Sequence, residues 1–176
     1  KEWGGIDEGE KANFGHNLKF FFRYQIGHMY FRYFMWNFVG RQNDTQSHGS
    51  LVNGNWISGI KFVDNQFRGD QELLPDKYKK EESRNTYYFL PLILGLLGLL
   101  TQLNRDVKNF WVVMALFFFT GIAIVIYLNQ TPFQPRERDY AYVGSFYAFA
   151  IWIGLGVIAI SDALKKYTRG AFRSAL

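Results

Sequence analysis

The chain has no cysteine, which excludes disulfide frameworks and thiolate metal sites. Its three histidines, His16, His28 and His48, form no metal-ligand pair at recognisable spacing, and no HExxH occurs, so no metal is expected. There are only four prolines. P-loop and dinucleotide fingerprints are missing, and so is any serine or threonine paired with a base. The most informative deficit is local: residues 85–104, 109–135 and 140–161 hold no Lys, Arg, Asp or Glu at all. The slightly negative mean hydropathy conceals this, because the charges are segregated into residues 1–84 and a few short clusters.

A membrane-crossing helix needs about 20 predominantly apolar residues. Three stretches approach that length: YYFLPLILGLLGLLTQL at about 87–103, FWVVMALFFFTGIAIVIYL at about 110–128, and VGSFYAFAIWIGLGVIAIS at about 143–161. The expectation is an all-α integral membrane protein with three transmembrane helices, 85–161. It is preceded by an aromatic-rich interfacial segment and polar loop region, 1–84, and followed by a basic tail, 162–176. Tyr87, Tyr88, Trp111, Tyr127, Tyr140, Tyr142 and Tyr147 lie near the ends of the spans, as interfacial aromatics do. Gly95 and Gly98, or Gly154 and Gly156, would let helices approach closely.

The segment 18–39, LKFFFRYQIGHMYFRYFMWNFV, reads as a helix bounded by Gly15 and Gly40. At about 100° per residue its polar side chains fall on two opposite faces. Lys19, Arg23, Asn37 and Arg41 lie on one, and Gln25, His28 and Arg32 on the other. That pattern predicts either a helix wedged between protein and lipid headgroups or two helices broken near Gly27. Residues 41–84 read as turns and loops, with a short polar helix after Pro75.

Two constellations could carry chemistry. The first is Arg136, Glu137, Arg138 and Asp139, set between two charge-free runs and introduced by Pro132 and Pro135. Arg136 and Arg138 suit a phosphate of a membrane-surface ligand, because guanidinium binds such groups through paired hydrogen bonds. Glu137, Asp139 and Tyr140 are placed to orient them or to exchange protons. The competing reading is a self-neutralising cap at the membrane boundary. The second constellation is Tyr30, Arg32, Tyr33, Trp36, Asn37, Arg41 and Gln42, which could line a cavity for a sugar or headgroup, or simply anchor the segment at the interface with snorkelling arginines. Asn129-Gln130-Thr131 matches a glycosylation acceptor but lies against the membrane before a proline, and reads as chance. The net charge of +5 forms no dense basic stripe, so nucleic acid is not an expected partner. The cation count on the two sides of three spans is a tie and does not fix orientation.

The strings YFRYFMWNFVGRQND at 30–44, GNWISGI at 54–60 and YLNQTPFQPRERDYAYVGSFYAFAIWIGLG at 127–156 resemble a family of large multi-spanning membrane proteins of Bacteroidota. That family, long catalogued as a domain of unknown function, is similar to animal membrane protein O-mannosyltransferases. The resemblance implies a type C glycosyltransferase fold, with a polyprenyl-phosphate-linked sugar, mannose among the candidates, transferred to protein hydroxyls. It implies a catalytic acid in an early external loop, so the chain would be an internal piece of such a protein and inactive alone. It places residues 1–84 and the 129–142 loop in the periplasm and the tail in the cytoplasm of an inner-membrane protein. The expected partners are the bilayer, the lipid-linked sugar and a protein acceptor, and no cofactor is expected. A transporter or lipid-handling protein, or a membrane scaffold subunit, are the alternatives.

Overall fold

The computed structural model describes residues 2–132 and 139–174, and for Asp139 and residues 168–174 the backbone alone. Among the described residues the protein is mainly helical, with one two-stranded sheet.

The aromatic segment forms one uninterrupted rod from Phe14 to Phe38, in three parts: α1 (Phe14–Phe20), a π-helical stretch (Phe21–Phe31) and α2 (Arg32–Phe38). It begins at Asn13, whose side chain accepts from His16 N at 2.9 Å while the His16 ring accepts from Asn13 N, a reciprocal cap. Gly15 therefore lies inside the first turn and does not bound the helix. Gly27 sits within the π stretch, where the wider i→i+5 coil continues without a break. Of the two predicted alternatives, the break near Gly27 is not what forms.

After the rod, β1 (Gly40–Arg41) pairs antiparallel with β2 (Asn85–Thr86), and Arg41 bridges to Trp56. Gly40 has φ 149°, and a Cβ there would strike the backbone of Ile57 and Asn85, so only glycine fits this crossing. Between the strands lie α3 (Lys61–Arg68), which the loop-like composition hid, and α4 (Asp76–Lys79), the short helix expected after Pro75.

The apolar runs become α5 (Leu90–Arg105), α6 (Val107–Phe119), α7 (Ile122–Leu128) and α8 (Val143–Ser174). Among the described residues, two helical stretches, Val107–Leu128 and Tyr140–Tyr167, are long and apolar enough to cross a membrane. The expectation of three such helices is corrected at α5. It has 16 residues, about 24 Å of helix against a hydrocarbon core of about 30 Å. It starts late because Tyr88 and Phe89 turn the chain with φ 52° and 60°, while Tyr87 N and Tyr88 N donate to the carbonyls of Val39 and Ser58. α8 continues past 161 into the basic segment, as far as Ser174. The reversal between α5 and α6 narrows to Asp106, whose carboxylate caps α6 by accepting from Asn109 N at 3.2 Å.

α5 and α8 form the most extensive helix pair. A Cβ on Gly98 would overlap the Trp152 carbonyl, and one on Gly156 would overlap the Leu94 carbonyl. Gly95 is covered by the Phe149 ring, whereas Gly154 faces open space. The seam thus uses Gly95, Gly98 and Gly156 to bring two backbones together, as small residues do where apolar burial supplies little drive. Trp152 Nε1 donates to Gln102 at 2.7 Å, and Arg105 pairs with Asp162 at 3.0 Å near the far end. The rod docks on this bundle through Phe34 and Phe38, which pack with Phe110, Phe149 and Trp152. A second cluster joins Tyr30, Val125 and Tyr142. Tyr142 is therefore core and does not belong to the interfacial aromatics, whereas Tyr127 and Tyr147 are exposed.

Replacing Gly98 by leucine forces side-chain volume into backbone contact, which costs about 3 kcal/mol or more. Gly154→Leu serves as the control. Thermal unfolding in detergent should show a large loss for the first and little change for the second.

Candidate functional site

Of the RERD cluster, Arg136, Glu137 and Arg138 lie outside the described residues, as does the Asp139 side chain. Both flanks are placed. On one side α7 ends at Leu128, with Asn129 in the left-handed region (φ 40°), followed by Gln130 and Thr131. On the other, a 3-10 turn (Asp139–Tyr142) leads into α8, with Tyr140 exposed and Tyr142 buried.

The aromatic-basic residues are brought together, but most of them face the loop 42–58 as its internal supports. Arg32 is 7% exposed. Its Nε donates to the His28 carbonyl at 3.0 Å and its Nη1 to the Gly54 carbonyl at 2.5 Å. Gln42 donates to Leu51 O at 3.0 Å and accepts from Asn55 Nδ2 at 3.0 Å. Asn43 donates to Val52 O and accepts from Gly54 N, so its carboxamide pairs as a strand residue would. Trp36 Nε1 donates to Asn43 O at 2.9 Å, Tyr33 stacks on Trp36, and the Arg41 guanidinium lies 4.1 Å from the Trp36 ring. Asn37 turns back to the Tyr33 carbonyl of its own helix. Tyr30 points the other way, into the bundle, where its hydroxyl meets Ser145 Oγ at 2.5 Å.

That contact coincides with an interruption of the first long apolar stretch. α6 stops at Phe119 and α7 starts at Ile122, with Gly121 at φ −116°, ψ −96° between them. A Cβ on Gly121 would meet Ser145 Oγ and the Tyr30 hydroxyl, and one on Gly144 would meet Thr120. The Thr120 hydroxyl donates back to Leu116 O at 2.6 Å, which satisfies part of the disturbed turn.

A polar cavity of about 490 Å³ opens where the rod passes the end of α7. Its lining is Asn17, Phe20, Gln25, Asn129, Gln130 and Thr131. Gln25 Nε2 donates to Asn129 Oδ1 at 2.5 Å, and the Tyr24 hydroxyl donates to Thr131 O at 3.3 Å. Gln130 is 7% exposed, and its Nε2 is buried without a hydrogen-bond partner. A buried donor left open costs about 1–3 kcal/mol and calls for an acceptor. The wall carries no formal charge; beside the Phe20 ring it offers carboxamides and one hydroxyl, which can both donate to and accept from a neutral ligand rich in hydroxyl or amide groups.

Comparison with protein-family models, curated proteins and solved structures finds no match. The reading of this site therefore rests on its own geometry. Sequence reasoning passed over Gln130, Asn129 and Gln25. The available signal was a polar triplet, Asn129-Gln130-Thr131, directly after a long apolar helix, together with a glutamine inside an aromatic one.

His28 sits beside the cavity-lining Gln25 on the same flank of the rod. Its Nε2 donates to the Ser47 carbonyl at 3.0 Å, and its ring packs against Trp3 and Tyr24. Burial, then the nearby Arg32 charge, lower its pKa from the usual 6.5 to about 4, with smaller like-sign contributions from His48 and Arg68. The Ser47 carbonyl acts in the opposite sense. The folded protein thus holds His28 neutral. Stability is full above about pH 6.5 and falls between 6.5 and 4, because the unfolded chain takes up the proton first. The loss reaches about 3 kcal/mol at the acid end. Unfolding in detergent at pH 7 and pH 5 should show this acid weakening in the wild type, and His28→Gln should flatten the pH dependence.

Proposed function

We propose that the chain is a membrane-embedded part of a bacterial inner-membrane glycosyltransferase-like protein. It would move a sugar, mannose among the candidates, from a polyprenyl-phosphate donor to protein hydroxyls. The observation that carries this reading is the uncharged carboxamide cavity around Gln130, set at the end of the first long apolar helix. Carboxamides aimed into a cleft are the groups that read sugar hydroxyls, and the arginine-bearing segment starts a few residues further along the chain. In this reading Arg136 and Arg138 engage the donor phosphate, and Glu137, Asp139 and Tyr140 orient them. The cavity holds the sugar. Residues 1–84 and the 129–142 loop face the periplasm, and the end of the chain faces the cytoplasm. α5 serves as a third, shortened membrane segment, carried by its backbone contact with α8.

The break at Thr120–Gly121 favours a second reading, a transporter or lipid-handling protein. Interrupted helices in an apolar environment are where such proteins bind substrate. The absence of ionisable residues from 109–128 disfavours the ion-coupled kind.

The test uses the full-length protein containing this chain, reconstituted in liposomes with labelled polyprenyl-phosphate-mannose and an acceptor peptide. Transfer should occur and should fall at least about tenfold in Gln130→Leu and in Arg136→Ala or Arg138→Ala, the scale of one lost charge-assisted contact. Normal turnover in all three variants rules out the site assignment. Absence of transfer combined with movement of lipid-linked sugar across the bilayer establishes the second reading instead.

A further inference from the structure

The charge-free runs of α5 and α8 end together. Arg105 is the last residue of α5, and its Nη1 donates at 3.0 Å to Asp162, the first charged residue of α8. Both helices therefore leave the apolar layer at one level. Lys108 stands in the first turn of α6, and Lys165 and Lys166 are exposed about one turn further along α8. Among the described residues this end carries four cations, Arg105, Lys108, Lys165 and Lys166, against two carboxylates, Asp106 and Asp162.

A groove of about 730 Å³ lies between α5 and α8 at this level. Ligand sites commonly occupy roughly 300–1,000 Å³. Leu97, Thr101 and Arg105 form one wall, spaced as a single helix face, and Ala159, Ala163 and Tyr167 form the other at the same spacing. The alanines leave room where larger side chains would close the seam. The polar groups of the α5 wall are satisfied within their own helix. The Thr101 hydroxyl donates to the Leu97 carbonyl at 2.7 Å, and Asn104 Nδ2 donates to the Leu100 carbonyl at 2.8 Å. The groove thus offers hydrocarbon inside and positive charge at its mouth. The Arg105 side chain stays 60% exposed despite its ion pair, so its fork keeps donors for a second acceptor.

Length decides between occupants. Leu97 lies eight residues before Arg105, about 12 Å of helix. That is close to one leaflet of a hydrocarbon core about 30 Å thick, whereas a membrane-crossing helix needs a groove of the full thickness. An acyl chain with its headgroup at the boundary needs one leaflet only. We propose that this groove holds an anionic phospholipid, with one acyl chain between α5 and α8 and its phosphate at the level of Arg105 and Lys166. Cations just beyond the ends of membrane helices favour anionic lipid by about fivefold each. The proposal rests on the reading of these helices as membrane-embedded, and not on sugar transfer.

The experiment places the full-length protein containing this chain in phosphatidylcholine nanodiscs. The discs carry a trace of phosphatidylglycerol with a diazirine in its acyl chain or, in parallel, of phosphatidylcholine with the same tail. Photolabelled residues are mapped by mass spectrometry. Leu97, Ala159 and Ala163 should take at least about fivefold more label from the first probe than from the second. Ala163→Trp, which fills the groove, should abolish that labelling, whereas Val157→Trp, at an exposed position of α8 outside the lining, should leave it intact. Arg105→Gln combined with Lys166→Gln should bring the two probes close to equality. Asp162→Asn, which removes the competing carboxylate, should widen their difference, whereas a merely structural ion pair predicts a loss in both cases. The wild-type comparison decides even where a variant fails to fold. Equal labelling by the two probes overturns the proposal, and so does a groove shielded from both by another helix or a second copy. In either case recovery of the protein in nanodiscs leaves the membrane reading standing. A protein that does not enter nanodiscs overturns both.

Discussion

Burial of the Arg32 guanidinium is the constraint on which the region between the rod and α5 depends. A charge taken out of water needs several acceptors. One is the His28 carbonyl, a turn back along the same rod. Another is the Gly54 carbonyl, which belongs to a loop with no regular structure of its own. Gly54 can present that carbonyl only because its φ of 60° and its missing side chain let it press against Thr45 and Ser47. Asn43 then fixes the amide of Gly54, and Gln42 fixes Asn55 beside it. A loop of asparagines, glycines and serines thereby acquires one shape, set by carboxamides that stand in for strand partners.

The rod resolves two demands that looked incompatible in sequence. Its Gln25, His28 and Arg32 are buried, although a helix at a membrane surface would be expected to turn such residues to water. They face polar protein. Gln25 meets Asn129, His28 meets Ser47 and Arg32 meets Gly54. Meanwhile Tyr30, Phe34 and Phe38 enter the bundle. The wide coil of residues 21–31 lets one continuous helix serve both surroundings. The expectation of a wedge captured the two-sidedness, but the polar flank is wedged against the protein's own loop.

What could be read in the sequence follows from where the information lies. Long charge-free runs specify helices by composition alone, so the stretch that becomes α6 and α7 was legible as one helix, without its break at Gly121, and so was α8. Glycines at 95, 98 and 156 were legible as packing positions, yet only the partner helix shows that Gly154 faces outward. α3 was hidden because it is short and set in loop-like composition, and its one buried side chain among eight residues is an aspartate. The cavity was hidden for a related reason. Gln25 and Asn129 are separated by 104 residues and meet only because the rod crosses the end of α7. Periodicity and motif reading are local, and a site assembled from carboxamides on distant elements leaves no local signature.

The break at Gly121 links these layers. A side chain at 121 would strike both the Tyr30 hydroxyl and Ser145 Oγ, and neither could then approach. With glycine there, the Tyr30 hydroxyl reaches Ser145 and fixes the rod to α8 at the level of the interruption between α6 and α7. The direction of α7 sets the position of Asn129 and Gln130, and the rod sets the position of Gln25 and Asn17. Both walls of the cavity are therefore referenced to one buried hydroxyl pair. The segment that follows Pro132 leaves from one of those walls, and the turn at Asp139–Tyr142 that receives it is tied to the same point through packing of Tyr142 on Tyr30. A change at Tyr30 or Gly121 would move cavity and flanks together, which makes this contact the mechanical origin of the site, although neither residue lines it.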